Sequence, residues 1–274
     1  MHPLLTGTLS IERLQIEIAD LPANLKGMRL TQFSDFHFDG IRLSPVLLNE
    51  AIAASNQAEP DLVVLTGDFV TDDPLAIHQL VPWLKQLTSR HGIYAALGNH
   101  DNCYQRSRPE ITAALTNAGI GVLWNEIAYP FGADLPLVGL ADLWSRDFHP
   151  APIMSQLDAS RPRIVLAHNP DTADRLRPWR VDLQLSGHTH GGQVTVPFVG
   201  NISELISNTY GAMPKPARKL VPWMKECYHV VKHWEWAQGL HTVGNNRLYT
   251  NRGLGTYLPG RLFCPPEVTV ITLV

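Results

Sequence analysis

Five short apolar runs, each followed at once by polar residues, constrain the fold of this chain more than any other feature. They lie in the stretches MRLTQFS, DLVVLTGD, GIYAALGNHD, RIVLAH and VDLQLSGHTH. Continuous apolar runs of this kind are typical of strands that are buried on both faces and covered by helices. The segment SPVLLNEAIAASNQ between the first two runs fits a helix, with Ser44 as a candidate cap and Pro45 in its first turn. The alternation predicts a layered α/β fold.

The remaining elements fit the same plan. The segments DPLAIHQLVPWLKQLTSRHG and PEITAALTNAG predict helices that end near a glycine. Shorter strands are predicted around PLVGLAD, QVTVP, NRLYTN and EVTVITLV. Since the chain shows neither repeats nor a low-complexity linker, we predict one domain over residues 1–274.

Residues 200–240 depart from this alternation of predicted strands and helices, and they contain three of the seven tryptophans. We predict a helix from Ala217 to Trp236 that is interrupted at, or begins at, Pro222. Three interpretations are open: a surface helix packed on the core by its aromatic side chains, a flap that faces the substrate, or a patch over 217–236 whose basic and Trp side chains touch a membrane.

Charge and composition exclude some classes of protein and favour others. A net charge of −3 argues against a nucleic-acid binder held by bulk electrostatics. The three cysteines are widely spaced, which is not a disulfide framework and suits a reducing compartment. We see no signal peptide, and no uncharged apolar run approaches the ~20 residues that span a bilayer. The expected location is the cytoplasm, with peripheral contact at the inner face of the membrane as an option; no protein partner is predicted.

The polar residues that follow the five predicted strands carry metal-binding chemistry. They are Asp35, His37, Asp68, Asn99, His100, Asp101, His168, His188 and His190. Open α/β sheets place ligands at the carboxyl ends of their strands, so these loops can converge. Carboxylate and amide oxygens mixed with imidazoles suit manganese, iron or zinc. One ion cannot use so many ligands, whereas two ions that share a carboxylate can.

The ordered series D-x-H, G-D, G-N-H-D, H and G-H-x-H resembles that of the calcineurin-like metallophosphoesterases. The likeness extends from Met28 to Val274, and GHTHGGQV, NRGLGT and PPEVTVITL are similar to the bacterial branch of YkuE- and YaeI-type phosphodiesterases. The resemblance implies a four-layer α/β/β/α sandwich with two mixed sheets and a two-metal site.

The resemblance also implies a division of the ligands between two divalent ions. The first ion would be held by Asp35, His37, Asp68 and His190. The second would be held by Asp68, Asn99, His168 and His188, with Asp68 bridging the two. In this scheme the ions activate a water as a hydroxide that attacks phosphorus.

Further residues receive roles from the same resemblance. His100 would stabilise or protonate the leaving oxygen, and Asp101 would orient His100 through a hydrogen bond. The glycines around the H-x-H motif would let the backbone pass close to metal and phosphate. Asn102 and Arg252 are weaker candidates for substrate contacts, and Arg261 is weaker still.

These residues predict a hydrolase of phosphoesters, with phosphodiesters as the expected substrates. The alternatives are a UDP-2,3-diacylglucosamine pyrophosphohydrolase of lipid A synthesis, with residues 200–240 as an acyl-binding flap, a protein phosphatase, and a non-catalytic metal-binding scaffold. Intact Asp35, Asp68, Asn99 and His100 argue against the scaffold.

Overall fold

The computed structural model describes residues 5–221 and 224–274, in which two six-stranded sheets face each other. The first sheet contains β1 (Ser10–Ile16), β2 (Arg29–Phe33), β3 (Leu62–Leu65), β4 (Ile93–Ala95), β5 (Gly121–Val122) and β14 (Glu267–Leu273), in the order β1-β14-β2-β3-β4-β5. The second contains β6 (Glu126–Ala128), β7 (Leu137–Gly139), β8 (Ile164–Leu166), β9 (Leu183–Ser186), β12 (Gly239–Val243) and β13 (Asn246–Thr250), in the order β12-β13-β9-β8-β7-β6. A short separate hairpin is formed by β10 (Thr195–Val196) and β11 (Gly200–Asn201).

The helices lie mostly on the outer faces of the sheets. They are α1 (Pro45–Gln57), α2 (Ile77–Leu84), α3 (Ser107–Asn117), α4 (Pro150–Met154), α5 (Thr172–Arg175), α6 (Ile202–Ala212), α7 (Lys215–Arg218) and α8 (Met224–Val230). Single 3-10 turns occupy Ala23–Leu25, Pro74–Ala76, His100–Asn102, His190–Gly192 and Trp234–Trp236. The predicted cap of α1 is confirmed, because the Ser44 hydroxyl accepts a hydrogen bond from the Leu47 amide at 3.2 Å.

The core has three apolar layers, as β3 illustrates. Val63 and Leu65 pack in the cluster that contains Leu48 of α1, whereas Leu62 and Val64 pack in the cluster between the two sheets. A third cluster lies outside the second sheet. Because side chains alternate across a strand, a wholly apolar strand requires cover on both faces. The predicted four-layer α/β/β/α sandwich with two mixed sheets is confirmed.

Strand direction decides where the loops meet. β2, β3 and β4 are parallel in the first sheet, and β7, β8, β9 and β13 are parallel in the second. The two sheets are joined near these strands' carboxyl ends, where the Gln32 side-chain amide donates to the Ser186 carbonyl at 2.9 Å. The loops after β2, β3, β4, β8 and β9 therefore share one edge of the sandwich.

The sequence did not indicate β1, which pairs in parallel with β14 from Ser10–Glu267 to Ile16–Leu273. Its residues alternate between partly buried and exposed until the last, as expected for an edge strand with one covered face. Such a short alternating segment carries a weaker signal than the apolar runs.

The prediction of one helix from Ala217 to Trp236 is wrong. α7 ends at Arg218, α8 ends at Val230, and Pro222 lies outside the described residues. α8 does not continue, because the Lys232 and His233 amides donate to the buried Asp171 carboxylate at 2.7 and 3.1 Å instead of to helical carbonyls.

The two described tryptophans of this segment, Trp234 and Trp236, are buried. Their indoles therefore pack against the protein and do not form an exposed aromatic patch. Among the described helices, none is long and apolar enough to cross a membrane.

Candidate metal centre

The loops at this edge bring donor side chains into two adjoining groups. Asp35, His37 and His190 form the first group, and Asp68, His168 and His188 form the second. Within each group the donor atoms lie within 4.8 Å of one another, and the same holds for a third set, His37, Asp68 and His100, that spans the two groups. All six residues are buried.

In the first group, His37 Nε2 lies 3.0 Å from His190 Nε2, and Asp35 Oδ1 lies 3.5 Å from His190 Nε2. The outer ring nitrogens face oxygen atoms: His190 Nδ1 is 3.1 Å from the Gly255 carbonyl, and His37 Nδ1 is 3.0 Å from the Tyr257 hydroxyl. A carbonyl only accepts, so His190 carries its proton on Nδ1 and directs the Nε2 lone pair into the group.

The second group is built in the same way. His168 Nε2 lies 3.1 Å from Asp68 Oδ2 and 3.2 Å from His188 Nδ1. His168 Nδ1 donates to the Thr66 carbonyl at 2.6 Å, and His188 Nε2 donates to the Val230 carbonyl at 3.0 Å. These carbonyls select opposite tautomers in the two rings, so that both inner nitrogens present lone pairs to the same point.

Asp68 connects the groups. Its Oδ2 lies 3.5 Å from His37 Nε2 as well as 3.1 Å from His168 Nε2. Asn99 adds a further acceptor, since its Oδ1 is buried without a hydrogen-bond partner among the described residues. A buried unsatisfied oxygen costs about 1–3 kcal/mol. An unpartnered oxygen beside several inward-facing lone pairs is suited to bind a cation.

The protonation of the two groups supports the same fit. Burial lowers the pKa of His37 to about 3 and that of His188 to about 3, which keeps both rings neutral. Burial also disfavours the charged form of His168, but the Asp68 carboxylate outweighs it and raises the pKa of His168 to about 10. The second proton of His168 then lies on Nε2, beside Asp68, at the position that a divalent cation would take, and metal binding to such sites releases protons.

Backbone strain is concentrated at these residues. Five of them have positive φ angles: Asp35 at 52°, His37 at 42°, Asp68 at 54°, His188 at 72° and His190 at 52°. For residues other than glycine each such conformation costs on the order of 1 kcal/mol or more. A cluster of strained residues is typical of a functional site rather than of turns chosen for stability.

Two glycines permit the close approach of the loops. A Cβ on Gly187 would collide with Ser34 Oγ and Asp35 Oδ2, and a Cβ on Gly98 would collide with Asp68 Oδ1. By contrast, Gly191 and Gly192 pack against protein side chains, Arg252 and Asn201 among them. The predicted close approach to a donor side chain therefore holds at Gly187 in the GHTH motif, and the sequence did not indicate the similar role of Gly98. Gly191 and Gly192, with φ angles of 62° and 72°, need glycine for the packing of their own loop.

The predicted contact between Asp101 and the His100 ring is wrong. The Asp101 carboxylate accepts from the backbone amides of Gly98, Asp68 and Phe69 at 2.9, 2.7 and 2.8 Å. His100 Nδ1 instead lies 2.7 Å from the Thr71 carbonyl. Asp101 thus fixes the loop that carries Asp68, because a buried carboxylate satisfies several amides at once.

Arg252 does not face the metal centre. Its guanidinium pairs with Glu267 Oε2 at 3.0 Å and with Glu12 Oε1 at 2.6 Å, and it donates to the Pro265 carbonyl. Its predicted contact with phosphate is wrong for this geometry, because both carboxylates already neutralise it.

We expect Arg252→Met to lower the free energy of unfolding by about 3 kcal/mol, because Glu267 would remain buried and unpaired. The KM for a phosphodiester should stay the same. Urea unfolding and steady-state kinetics measure the two effects. Arg247→Met is the control, since its contacts with the Glu17 carboxylate and carbonyl are exposed to solvent and their loss should cost under about 1 kcal/mol. A severalfold rise in KM with unchanged stability would instead support the predicted contact between Arg252 and phosphate.

The other weak candidates also have structural surroundings. Asn102 is half-buried at the end of the His100–Asn102 turn and does not line the cleft described below. Arg261 is buried and donates to the carbonyls of Gly255 and Arg252 at 2.7 and 2.8 Å. Arg261 therefore holds the loop that supplies the Gly255 carbonyl to His190.

A cleft of about 450 Å³ opens onto the metal centre. Its polar floor includes Asp68, Asn99, His100, His188 and His190. Its walls include Trp144, Cys227, Val230, Trp234, Tyr257 and Leu258. No described residue that lines it is a lysine or an arginine. The described part of segment 200–240 therefore contributes Cys227, Val230 and Trp234 to one wall of the cleft.

The sequence did not single out Tyr257, although its hydroxyl contacts His37. Tyr257 follows the NRGLGT stretch, which is the only signal that could have drawn attention to it. Its amide donates to Gln193 Oε1 at 2.7 Å, so Gln193, which follows the H-x-H motif, holds the backbone of Tyr257.

Two donor groups connected by the carboxylate of Asp68, on a four-layer α/β/β/α sandwich, are typical of the metallophosphoesterases. The chain belongs to the calcineurin-like phosphoesterase family, whose sequence model matches residues 28–192, more than half of the chain.

Characterised and uncharacterised relatives match over nearly the whole length. Phosphodiesterase YaeI of Escherichia coli is 34% identical, with 96% of this chain and 88% of that protein covered. The metallophosphoesterase YkuE of Bacillus subtilis is 32% identical, with 92% and 81% covered. The UDP-2,3-diacylglucosamine pyrophosphatase LpxG of Chlamydia muridarum is 27% identical, with 96% and 88% covered.

Proposed function

We propose that this chain is a phosphodiesterase that uses two divalent metal ions. The observation that carries the proposal is the convergence of two donor groups, joined by Asp68, on the floor of one cleft. The family supplies the reaction class, the hydrolysis of phosphoesters.

The ligand assignment that we propose divides seven residues between the ions. Asp35, His37, Asp68 and His190 hold the first ion, and Asp68, Asn99, His168 and His188 hold the second. Two bound ions supply Lewis-acid charge for a phosphoryl group and an activated water. The mixture of carboxylate, amide and imidazole donors suits manganese, iron or zinc.

We propose that His100 acts on the leaving oxygen. It lines the cleft, and its Nδ1 is occupied by the Thr71 carbonyl, so only Nε2 remains to exchange a proton with the substrate. The Asp68 carboxylate accepts from the His100 amide at 2.9 Å, which fixes this residue beside the metal centre.

We expect His100→Ala to lower kcat for an activated diester by ~10²–10⁴-fold, the usual contribution of a general acid. Metal analysis should still find two ions per chain, because His100 is not among the seven proposed ligands. Loss of an ion would instead make His100 a ligand, an alternative that its proximity to His37 and Asp68 makes worth measuring.

The lining of the cleft favours diesters over monoesters. A monoester carries more negative charge, yet no described lysine or arginine lines the cleft to receive it. A diester needs room for a second substituent, and the walls formed by Trp144, Val230 and Trp234 offer apolar surface for it. The printed name of the relative YaeI is consistent with this preference.

A second candidate is the hydrolysis of UDP-2,3-diacylglucosamine. The apolar wall from residues 200–240 is the observation that favours it, since acyl chains need such a surface. The LpxG relative is named for this activity, at a lower identity than YaeI.

The test is a substrate panel run on the purified protein with Mn²⁺. We expect metal analysis to find close to two ions per chain, turnover of bis(p-nitrophenyl) phosphate to exceed that of p-nitrophenyl phosphate, and a chelator to abolish both. Faster monoester turnover would contradict the diester preference. Release of UMP from the UDP-lipid at a higher kcat/KM would favour the second candidate. Metal-loaded protein that is inactive on every substrate would favour the non-catalytic metal-binding scaffold.

A further inference from the structure

Tyr257 stands at the first donor group with its hydroxyl 3.0 Å from His37 Nδ1. Its ring packs edge-on against His37 and His190, with centroids 4.9 and 5.4 Å away. It also lines the cleft. Building on the proposed phosphodiesterase, we propose that Tyr257 is a catalytic residue whose hydroxyl accepts a hydrogen bond from His37 and donates one to a phosphoryl oxygen of the substrate.

The direction of the hydrogen bond follows from the tautomer of His37. Its Nε2 faces His190 Nε2 at 3.0 Å and Asp68 Oδ2 at 3.5 Å, where it must present a lone pair to bind a cation. The proton of neutral His37 is then on Nδ1 and points at the Tyr257 oxygen. Tyr257 is therefore the acceptor in this contact.

A tyrosine hydroxyl that accepts still has one proton to donate. In the described part of the chain, His37 is the one hydrogen-bond partner of the Tyr257 hydroxyl. Since Tyr257 lines the cleft, its O–H has access to a ligand there. The chemistry of the proposed substrate supplies a fitting acceptor, because a phosphoryl oxygen is anionic and hydrogen bonds to charged groups are the stronger ones.

The ring is held from outside by a connected set of contacts. The Arg42 guanidinium lies 4.4 Å from the ring centroid and pairs with Asp39. Asp39 accepts from the Thr71 hydroxyl at 3.2 Å, and the Thr71 carbonyl is the partner of His100 Nδ1. One network therefore supports both Tyr257 and His100.

The centroids of the Tyr257 and His100 rings are 6.3 Å apart. At that separation both side chains can address one phosphoryl group, with His100 at the leaving oxygen and Tyr257 at a non-bridging oxygen.

Tyr257→Phe tests the proposal, because it removes the hydroxyl and keeps the ring. At saturating Mn²⁺ we expect the Kd for inorganic phosphate to rise about tenfold and kcat/KM for bis(p-nitrophenyl) phosphate to fall by about tenfold or more. In chelator competition, the affinity for one of the two ions should fall about tenfold, since His37 loses its tautomer-fixing partner.

Tyr94→Phe is the control, since the ring of Tyr94, a β4 residue, packs against Gly121 of β5 and does not line the cleft. It should leave all three values unchanged, and thermal unfolding should show that both variants are folded. An unchanged phosphate Kd and unchanged kcat/KM in Tyr257→Phe at saturating Mn²⁺ would overturn the proposal, even if metal affinity falls. In that case Tyr257 is a positioning residue for His37 only.

The phosphate titration separates this proposal from the proposed function. If the wild-type protein hydrolyses no diester, the proposed function fails. Calorimetric binding of inorganic phosphate to the Mn²⁺-loaded wild type and Tyr257→Phe still decides whether the hydroxyl contacts the phosphoryl group.

Discussion

Asp68→Asn is expected to abolish phosphodiester hydrolysis, by on the order of 10³-fold or more, and to weaken the binding of both metal ions. Asp68 Oδ2 lies between the two groups, at 3.5 Å from His37 Nε2 and 3.1 Å from His168 Nε2. An amide supplies one neutral oxygen in place of a charged carboxylate, so it cannot bind two cations. The measurements are bis(p-nitrophenyl) phosphate turnover and metal analysis after gel filtration.

Asp72→Asn is the matched control. It removes the same charge, but from an exposed residue in the loop that follows β3. It should retain activity and both ions. If Asp68→Asn keeps two ions and a substantial part of the activity, Asp68 does not bridge.

The two histidines of the GHTH motif are expected to bind different ions. His190 Nε2 is 3.0 Å from His37 Nε2, whereas His188 Nδ1 is 3.2 Å from His168 Nε2. Each alanine variant should therefore fall from two ions per chain to about one, with activity reduced on the order of a hundredfold or more.

The identity of the lost ion can be read from the absorption spectrum of the Co²⁺-substituted protein. His190→Ala should resemble His37→Ala, and His188→Ala should resemble His168→Ala. His78→Ala is the control, as His78 pairs with Glu110 on the surface and should keep two ions. Matching spectra for His188→Ala and His190→Ala would contradict the division.

The carboxyl-end loops could be located from sequence because apolar runs and polar residues alternate sharply there. Asp35 and His37 after β2, Asp68 after β3, and His168 after β8 each follow a strand that is buried on both faces. Burial on both faces leaves a continuous apolar run, and its short length and the glycines that follow several such runs favour a strand over a buried helix.

Hydrogen-bond partners could not be found in the same way, because they come from distant parts of the chain. Asp101 was expected at the His100 ring, yet it satisfies the backbone amides around Asp68. Arg252 was expected at phosphate, yet Glu12, some 240 positions away, neutralises it. The spacing of residues along the sequence indicates neither of these contacts.

By itself, the sequence determined the layered α/β architecture and the set of residues that reach one edge of the sandwich, since strand periodicity and donor chemistry are local properties. Only the tertiary structure decided which nitrogen of each histidine faces inward, because backbone carbonyls such as those of Thr66 and Val230 select the tautomer. It alone also placed Val230 and Trp234 in a wall of the cleft and Tyr257 beside His37. These relations depend on the packing of loops that are far apart in the chain, which spacing along the sequence does not encode.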